Sequence, residues 1–330
     1  MMTGSLEDTF GRQHTYMRVS VTDRCNYRCV YCMPEEGLNW VPRDDILTFE
    51  EIGRVIRLMV GMGVRKVRLS GGEPTLRSDL LSLVATISSI EGLQDLAMTT
   101  NGHTLANLAS DLAEAGLSRV NVSIDSVDAD QFRRLTRGGN LHRVLKGIEA
   151  ARAAGLTPIK LNAVILQGEN EDQLIPLIDY AAAHAEDTEL RFIEYMPFEQ
   201  RRFKTVKSSE IRRRLSERFT LRPQRMASLH AGPAQRVVLE ENGLAVGFIS
   251  PLSEHFCATC NRLRLMANGH LRTCLAHEDT PSLRDLIRAG WSDSQLEEAI
   301  RSMVLGKPSG HDCGVDGGKL FEGVMTAIGG

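Results

Sequence analysis

Six times within residues 1–218 a short, β-branched-rich run is followed by a helical stretch, and this alternation restricts the chain to a parallel sheet flanked by helices. The strands read at 17–21, 64–69, 94–99, 119–124, 158–165 and 189–195. Between and after them, helices read to about 62, then at 78–90, 104–115, 128–135 with 140–154, 171–184 and 208–218. The first opens on Thr48-Phe49-Glu50-Glu51, which has capping-box spacing. Six such units suit a partial barrel or a doubly wound open sheet. From about 219 the rhythm changes. Hairpin strands read at 235–240, 244–250 and 262–267, with turns at Glu241–Gly243 and Asn268–Gly269, and short helices follow near 281–289 and 293–303. The expected division is residues 1–218 and an α+β extension of residues 219–330.

Seven cysteines are present, and six form two tight triplets: Cys25, Cys29 and Cys32, then Cys257, Cys260 and Cys274, with Cys313 left over. Residues 1–14 are polar, and no stretch approaches 18 uninterrupted apolar residues, so no signal peptide or membrane span is expected. A net charge of −3 argues against a general nucleic-acid binder. The expected compartment is the cytoplasm, where clustered thiols point to metal or redox chemistry rather than disulfides. Structural zinc needs four ligands, and the first triplet contains no fourth candidate. Three thiolates on a four-iron cluster would instead leave one iron open to a small ligand. The second triplet is ambiguous on spacing alone, because His277 stands at Cys274-x2-His277 and completes a zinc-ribbon-like set.

Polar residues inside the strands give separate information. Side chains alternate along a strand, so Lys66 and Arg68 share one face, Lys160 and Asn162 another, and Arg191 faces away from Leu190 and Phe192. Strands of a parallel sheet are normally apolar on both faces. Basic residues repeated on one face call for a common anion, and a triphosphate has the right charge. The basic run Arg201, Arg202, Lys204, Lys207 and Arg212–Arg214 reads as a solvated face.

Cys25-x3-Cys29-x2-Cys32, with Tyr31 before the last cysteine, resembles the signature of radical S-adenosylmethionine enzymes. The turn Gly71-Gly72-Glu73-Pro74 after the second strand resembles that family's motif for the methionine amino group. More widely, Ser20–Asn26, the spacing of the second triplet, Cys260-Asn261-Arg262-Leu263-Arg264 and the terminal Gly329-Gly330 are together similar to the GTP 3′,8-cyclase family of molybdenum cofactor biosynthesis. That resemblance implies a partial (βα)6 TIM-type barrel whose open side is covered by the C-terminal extension. It implies two 4Fe-4S clusters, one per triplet, with S-adenosyl-L-methionine on the open iron of the first and the substrate guanine at the second. His277 would be a bystander. By matching positions, Tyr31, Gly71, Gly72, Glu73, Ser123 and Met196 would bind S-adenosylmethionine. Arg18, Lys66, Arg68, Thr99, Lys160, Arg191, Arg262 and Arg264 would bind GTP, and Arg18, Arg262, Arg264, Gly329 and Gly330 would serve catalysis. The implied partners are GTP, a reductant and the downstream cyclic pyranopterin monophosphate synthase, and a homodimer is compatible with it. The rival readings are another radical S-adenosylmethionine enzyme with an auxiliary cluster, and a zinc-ribbon regulator.

Overall fold

The computed structural model describes residues 5–198, 203–224, 232–277, 280–314, 320–321 and 325. The barrel strands are β1 (Tyr16–Ser20), β2 (Lys66–Ser70), β3 (Asp95–Thr100), β4 (Arg119–Ser123), β5 (Ile159–Ile165) and β6 (Thr188–Glu194). The helices between and after them are α1 (Phe49–Gly61), α2 (Leu80–Ser88), α3 (Ala109–Glu114), α4 (Ala129–Thr136), α5 (Leu141–Ala153), α6 (Leu174–Ala182) and α7 (Ser208–Ser216). Each barrel strand pairs in parallel with the next, as helical crossovers require. The expected capping box forms: Thr48 Oγ1 accepts from Glu51 N at 3.2 Å, and Thr48 N donates to Glu51 Oε2 at 2.8 Å. From there α1 buries Ile52, Val55, Ile56 and Met59 along one face.

The later strands are β7 (Leu221–Gln224), β8 (Gln235–Leu239), β9 (Ala245–Ile249), β10 (Arg262–Leu265) and β11 (Leu271–Arg272), followed by α8 (Leu283–Arg288) and α9 (Asp293–Leu305). They do not form a second sheet. The order is β11-β10-β1-β2-β3-β4-β5-β6-β9-β8-β7, one open sheet extended at both edges. β9 runs parallel to β6, and β10 runs parallel to β1. Residues 250–261 connect these two opposite edges, so the chain must cross the gap of the unclosed barrel there.

On the helix-facing side of the strands sit Val67, Leu69, Val120, Val122, Leu161 and Ala163, all fully buried in the main core. The inner side is polar, so the barrel interior is a cavity rather than a packed centre, which marks it as the working region.

Candidate active site

One cavity of about 640 Å³ occupies the barrel interior. Every residue expected from the sequence to bind metal, cofactor or substrate lines it, except Gly329 and Gly330, which lie outside the described residues.

The first triplet lies on the loop after β1, at the C-terminal ends of the parallel strands. Gly71 and Gly72 pin that loop. Gly72 N donates to Thr22 O and Glu73 N to Arg24 O, both at 2.7 Å. A Cβ at Gly72 would fall 2.2 Å from Arg24 O, and one at Gly71 would fall 2.3 Å from Thr22 O. These glycines therefore let the turn press against the cysteine loop's own backbone. Glu73 is buried. Its Oε1 accepts from Thr75 N, Thr75 Oγ1 and Thr100 Oγ1, while Oε2 accepts from Asn101 N at 2.6 Å. Oε2 keeps capacity for one further donor. Burial pushes the Cys25 thiol up to about 11 and the Cys29 thiol well above its usual value. Tyr27 N approaches Cys25 Sγ at 3.4 Å. A metal group that replaces the thiol protons, with backbone N–H groups turned to sulfur, fits this donor set. Tyr31 donates to Asp125 Oδ2 at 2.7 Å, and burial raises the Asp125 carboxyl to about 6.

The second triplet lies at the other end. Cys257 and Cys260 precede β10, whose start, Arg262, is in register with Tyr16 at the start of β1. Cys274 follows the antiparallel β11, which returns the chain to the same level. At about 3.3 Å per residue the two triplets stand on the order of 20 Å apart along the strand direction. Burial acts to raise the Cys260 thiol, but Arg262 and Lys307 beside it bring it down to about 7. His277 Nε2 lies 3.2 Å from Gly310 O. The tilted rings of His255 and His311 have centroids 4.6 Å apart, and a ring nitrogen of each lies within 4.8 Å of the other and of Cys257 Sγ.

Between the triplets the inner face carries cations in register. Arg264, Arg18 and Arg68 lie side by side across β10, β1 and β2. Lys66 and Arg68 flank the Tyr16 ring at 5.2 and 5.4 Å. Burial acts to raise the Tyr16 phenol, but Arg68, Arg18 and Lys66 bring it down to about 8. Two carboxylates, the partly exposed Asp95 and the buried Glu189, hold the other cations. Asp95 takes Lys66 at 3.2 Å and Arg119 Nη2 at 2.6 Å. Glu189, 2% exposed, takes Arg191 at 2.7 Å, Arg236 at 3.3 Å and Lys160 at 3.7 Å. Burial and the neighbouring Arg191 lower the Lys160 amine to about 6 despite Glu189. Arg68 has no such support. Its Nε is buried without a hydrogen-bond partner, and among the described residues no carboxylate lies within ion-pair distance. Thr99 lines the same wall and accepts weakly from Asn121 Nδ2, while Ser123 and Met196 line the cavity at the ends of β4 and β6.

Four residues of this wall were not anticipated: Asp95, Arg119, Glu189 and Arg236. Glu189 shares the alternation already read from Arg191, so the signal for it was present, and Arg119 stands two and four residues before Asn121 and the cavity-lining Ser123 on the same strand. Arg236 was not accessible, because it depends on β8 pairing with β9 beside β6. Of the discounted basic run, Arg213 and Arg214 sit on α7 in local pairs with Glu217 and Glu210, while Arg201 and Arg202 lie outside the described residues.

Comparison with known proteins places this geometry. Residues 19–181 match the Radical SAM superfamily, and residues 188–313 match Molybdenum Cofactor Synthesis C. The chain is 47% identical over 314 residues to the GTP 3′,8-cyclase of Paracoccus denitrificans, covering 93% of this chain and 90% of the relative. It is 44% identical over 333 residues to the GTP 3′,8-cyclase of Pseudomonas putida W619, covering 99% and 98%. Among solved structures, Streptococcus suis SuiB bound to S-adenosylmethionine shares the fold, with a TM-score of 0.59 at 17% identity, covering 91% of this chain and 73% of that one.

Proposed function

The chain belongs to the GTP 3′,8-cyclase family of radical S-adenosylmethionine enzymes in molybdenum cofactor biosynthesis, and from that premise we propose how its cavity divides the work. Cys25, Cys29 and Cys32 hold one 4Fe-4S cluster, and Cys257, Cys260 and Cys274 hold a second. Residues 1–218 supply the first site, and residues 219–330 the second. When bound, the first cluster and S-adenosylmethionine supply a 5′-deoxyadenosyl radical able to take a hydrogen from the 3′ carbon of GTP. The chain's own residues bind and orient. Glu73 Oε2 and the Gly71–Gly72 turn receive the methionine end of the cofactor, with Tyr31, Ser123 and Met196 beside it. Lys66, Arg68, Lys160 and Arg191 receive the triphosphate, joined by Arg119 and Arg236. Arg18, Arg262, Arg264 and Thr99 orient the nucleoside, and enclosure by residues 250–261 limits access of water to it. A reductant and the downstream synthase complete the reaction sequence.

The observation that carries this reading is the placement of two cysteine triplets at opposite ends of one cavity, with buried cations between them. Its test is anaerobic purification with assay of iron, sulfide and zinc, then addition of S-adenosylmethionine, GTP and a strong reductant. Two clusters, 5′-deoxyadenosine and a cyclised nucleotide are expected. About one zinc per chain, lost in Cys260→Ser, would reject the second cluster.

A further inference from the structure

Lys307 follows α9 and is 3% exposed, yet among the described residues no carboxylate lies within ion-pair distance of it. Its ammonium donates to Arg262 O at 2.7 Å and reaches Cys260 Sγ at 3.7 Å. A buried ammonium is costly unless it faces an anion or several acceptors. The N-terminal arm holds it there. Arg12 Nη1 donates to Cys257 O and to Ser309 O, each at 2.9 Å, and Nη2 donates to Pro308 O at 2.6 Å. Arg12 Nε is itself fixed by the buried Asp8 carboxylate at 2.6 Å, which also meets His14 Nε2 at 3.0 Å. Asn261 Nδ2 donates to Thr15 Oγ1 at 3.1 Å. One strap of the arm, residues 8–15, thus ties the segment carrying Lys307 to the backbone of the second triplet.

We infer that Lys307 is a positioning cation for the metal group of the second triplet: it donates to the Cys260 sulfur, offsets the group's negative charge and makes it easier to reduce, with Asp8 and Arg12 as its support. This rests on the proposed second cluster. A fixed positive charge beside a ligating sulfur favours the electron-rich state, and partners of a metal ligand tune the metal in this way. Sequence inspection alone does not reveal the role, because Lys307 lies outside both cysteine motifs.

The test uses anaerobically prepared protein, both unaltered and in the Cys29→Ala background, where only the second cluster remains. Iron, sulfide and the midpoint potential are measured for Lys307, Lys307→Met and Lys307→Arg. The expected result for Lys307→Met is at least a tenfold lower ratio of reduced to oxidised second cluster at a fixed potential, about 59 mV for one electron. Lys307→Arg should recover most of it, and the first cluster should not change. Loss of the second cluster's iron in Lys307→Met but not in Lys307→Arg also supports the assignment. An unchanged potential with full iron overturns it, and so does equal loss of iron in both variants, which would make the role steric. Absence of a second cluster from the unaltered protein rejects the parent reading instead, and the iron and sulfide counts separate that case from the others.

Discussion

Replacing Arg68 by alanine should weaken nucleotide binding and at the same time stabilise the ligand-free protein. Arg68 stands between Arg18 and Arg119 on the inner face without a carboxylate of its own among the described residues. Burial and the neighbouring Arg18 and Arg191 pull its guanidinium from 12.5 to about 10. The sign follows from protonation. At pH 7 the group is charged in both folded and unfolded states, so the full penalty for charging a buried site is present; it is relieved only as pH rises past about 10. A shift of that size corresponds to roughly 3 kcal/mol of destabilisation, an order-of-magnitude figure that the lost contact with Tyr16 reduces. The ligand-free variant should therefore melt about 2–4 °C higher for each kcal/mol relieved. Binding moves the other way. Charge-assisted bonds from Arg68 to a triphosphate are worth about 1.5–3 kcal/mol, which is about one to two orders of magnitude in Kd. Guanosine should bind poorly and be nearly indifferent to the change. Arg68→Lys should restore only part of the GTP affinity, because lysine lacks the bidentate fork. The assay is anaerobic calorimetry with GTP and guanosine, paired with thermal melts without ligand. An equal affinity loss for both ligands, or a lower melting temperature, would refute the argument.

Cys29→Ala should remove about half the iron and abolish 5′-deoxyadenosine formation, and retained cleavage would contradict the role of the first triplet. Cys260→Ser should leave reductive cofactor cleavage detectable and stop GTP cyclisation; product formed at the normal rate would oppose it. Lys160, whose amine sits at about 6 in the ligand-free cavity, should take up a proton when a triphosphate arrives. GTP affinity should then fall as pH rises above about 6, and titrations in buffers of different ionisation enthalpy should differ; identical heats would contradict it. Deleting Gly329 and Gly330 should suppress turnover while sparing the iron content and GTP affinity, and full activity would show the tail to be dispensable.

The parallel strands were legible because their helix-facing residues are apolar and their inner residues are not, a period of two that Lys66–Val67–Arg68–Leu69 states within four residues. The start of α1 was legible because a capping box is local. The first triplet was legible because its three cysteines share one short loop. What depends on distant pairing was not. That β10 lies beside β1, placing the two triplets at opposite ends of the cavity, is a contact between segments whose local patterns carry no record of each other. The glycines of the second turn show a subtler gap. Their motif pointed to a cofactor, and it gave no sign that both positions also exclude a Cβ because they press on Thr22 O and Arg24 O. Asp95 and Glu189 were overlooked because an acid on a basic wall looks out of place until its cations surround it.

The union of β10 with β1 also orders the protein's manufacture. Thr15 and Asn261, 246 residues apart, must meet before this edge is complete. Until the C-terminal third has left the ribosome, β1 offers a bare row of amides and carbonyls to any passing strand. The N-terminal cysteines can meanwhile reach their folded loop well before their distant counterparts exist as a set. A chain cut short before residue 262 would thus carry a half-equipped cavity and an unsealed border, and its expected fate is aggregation rather than partial function.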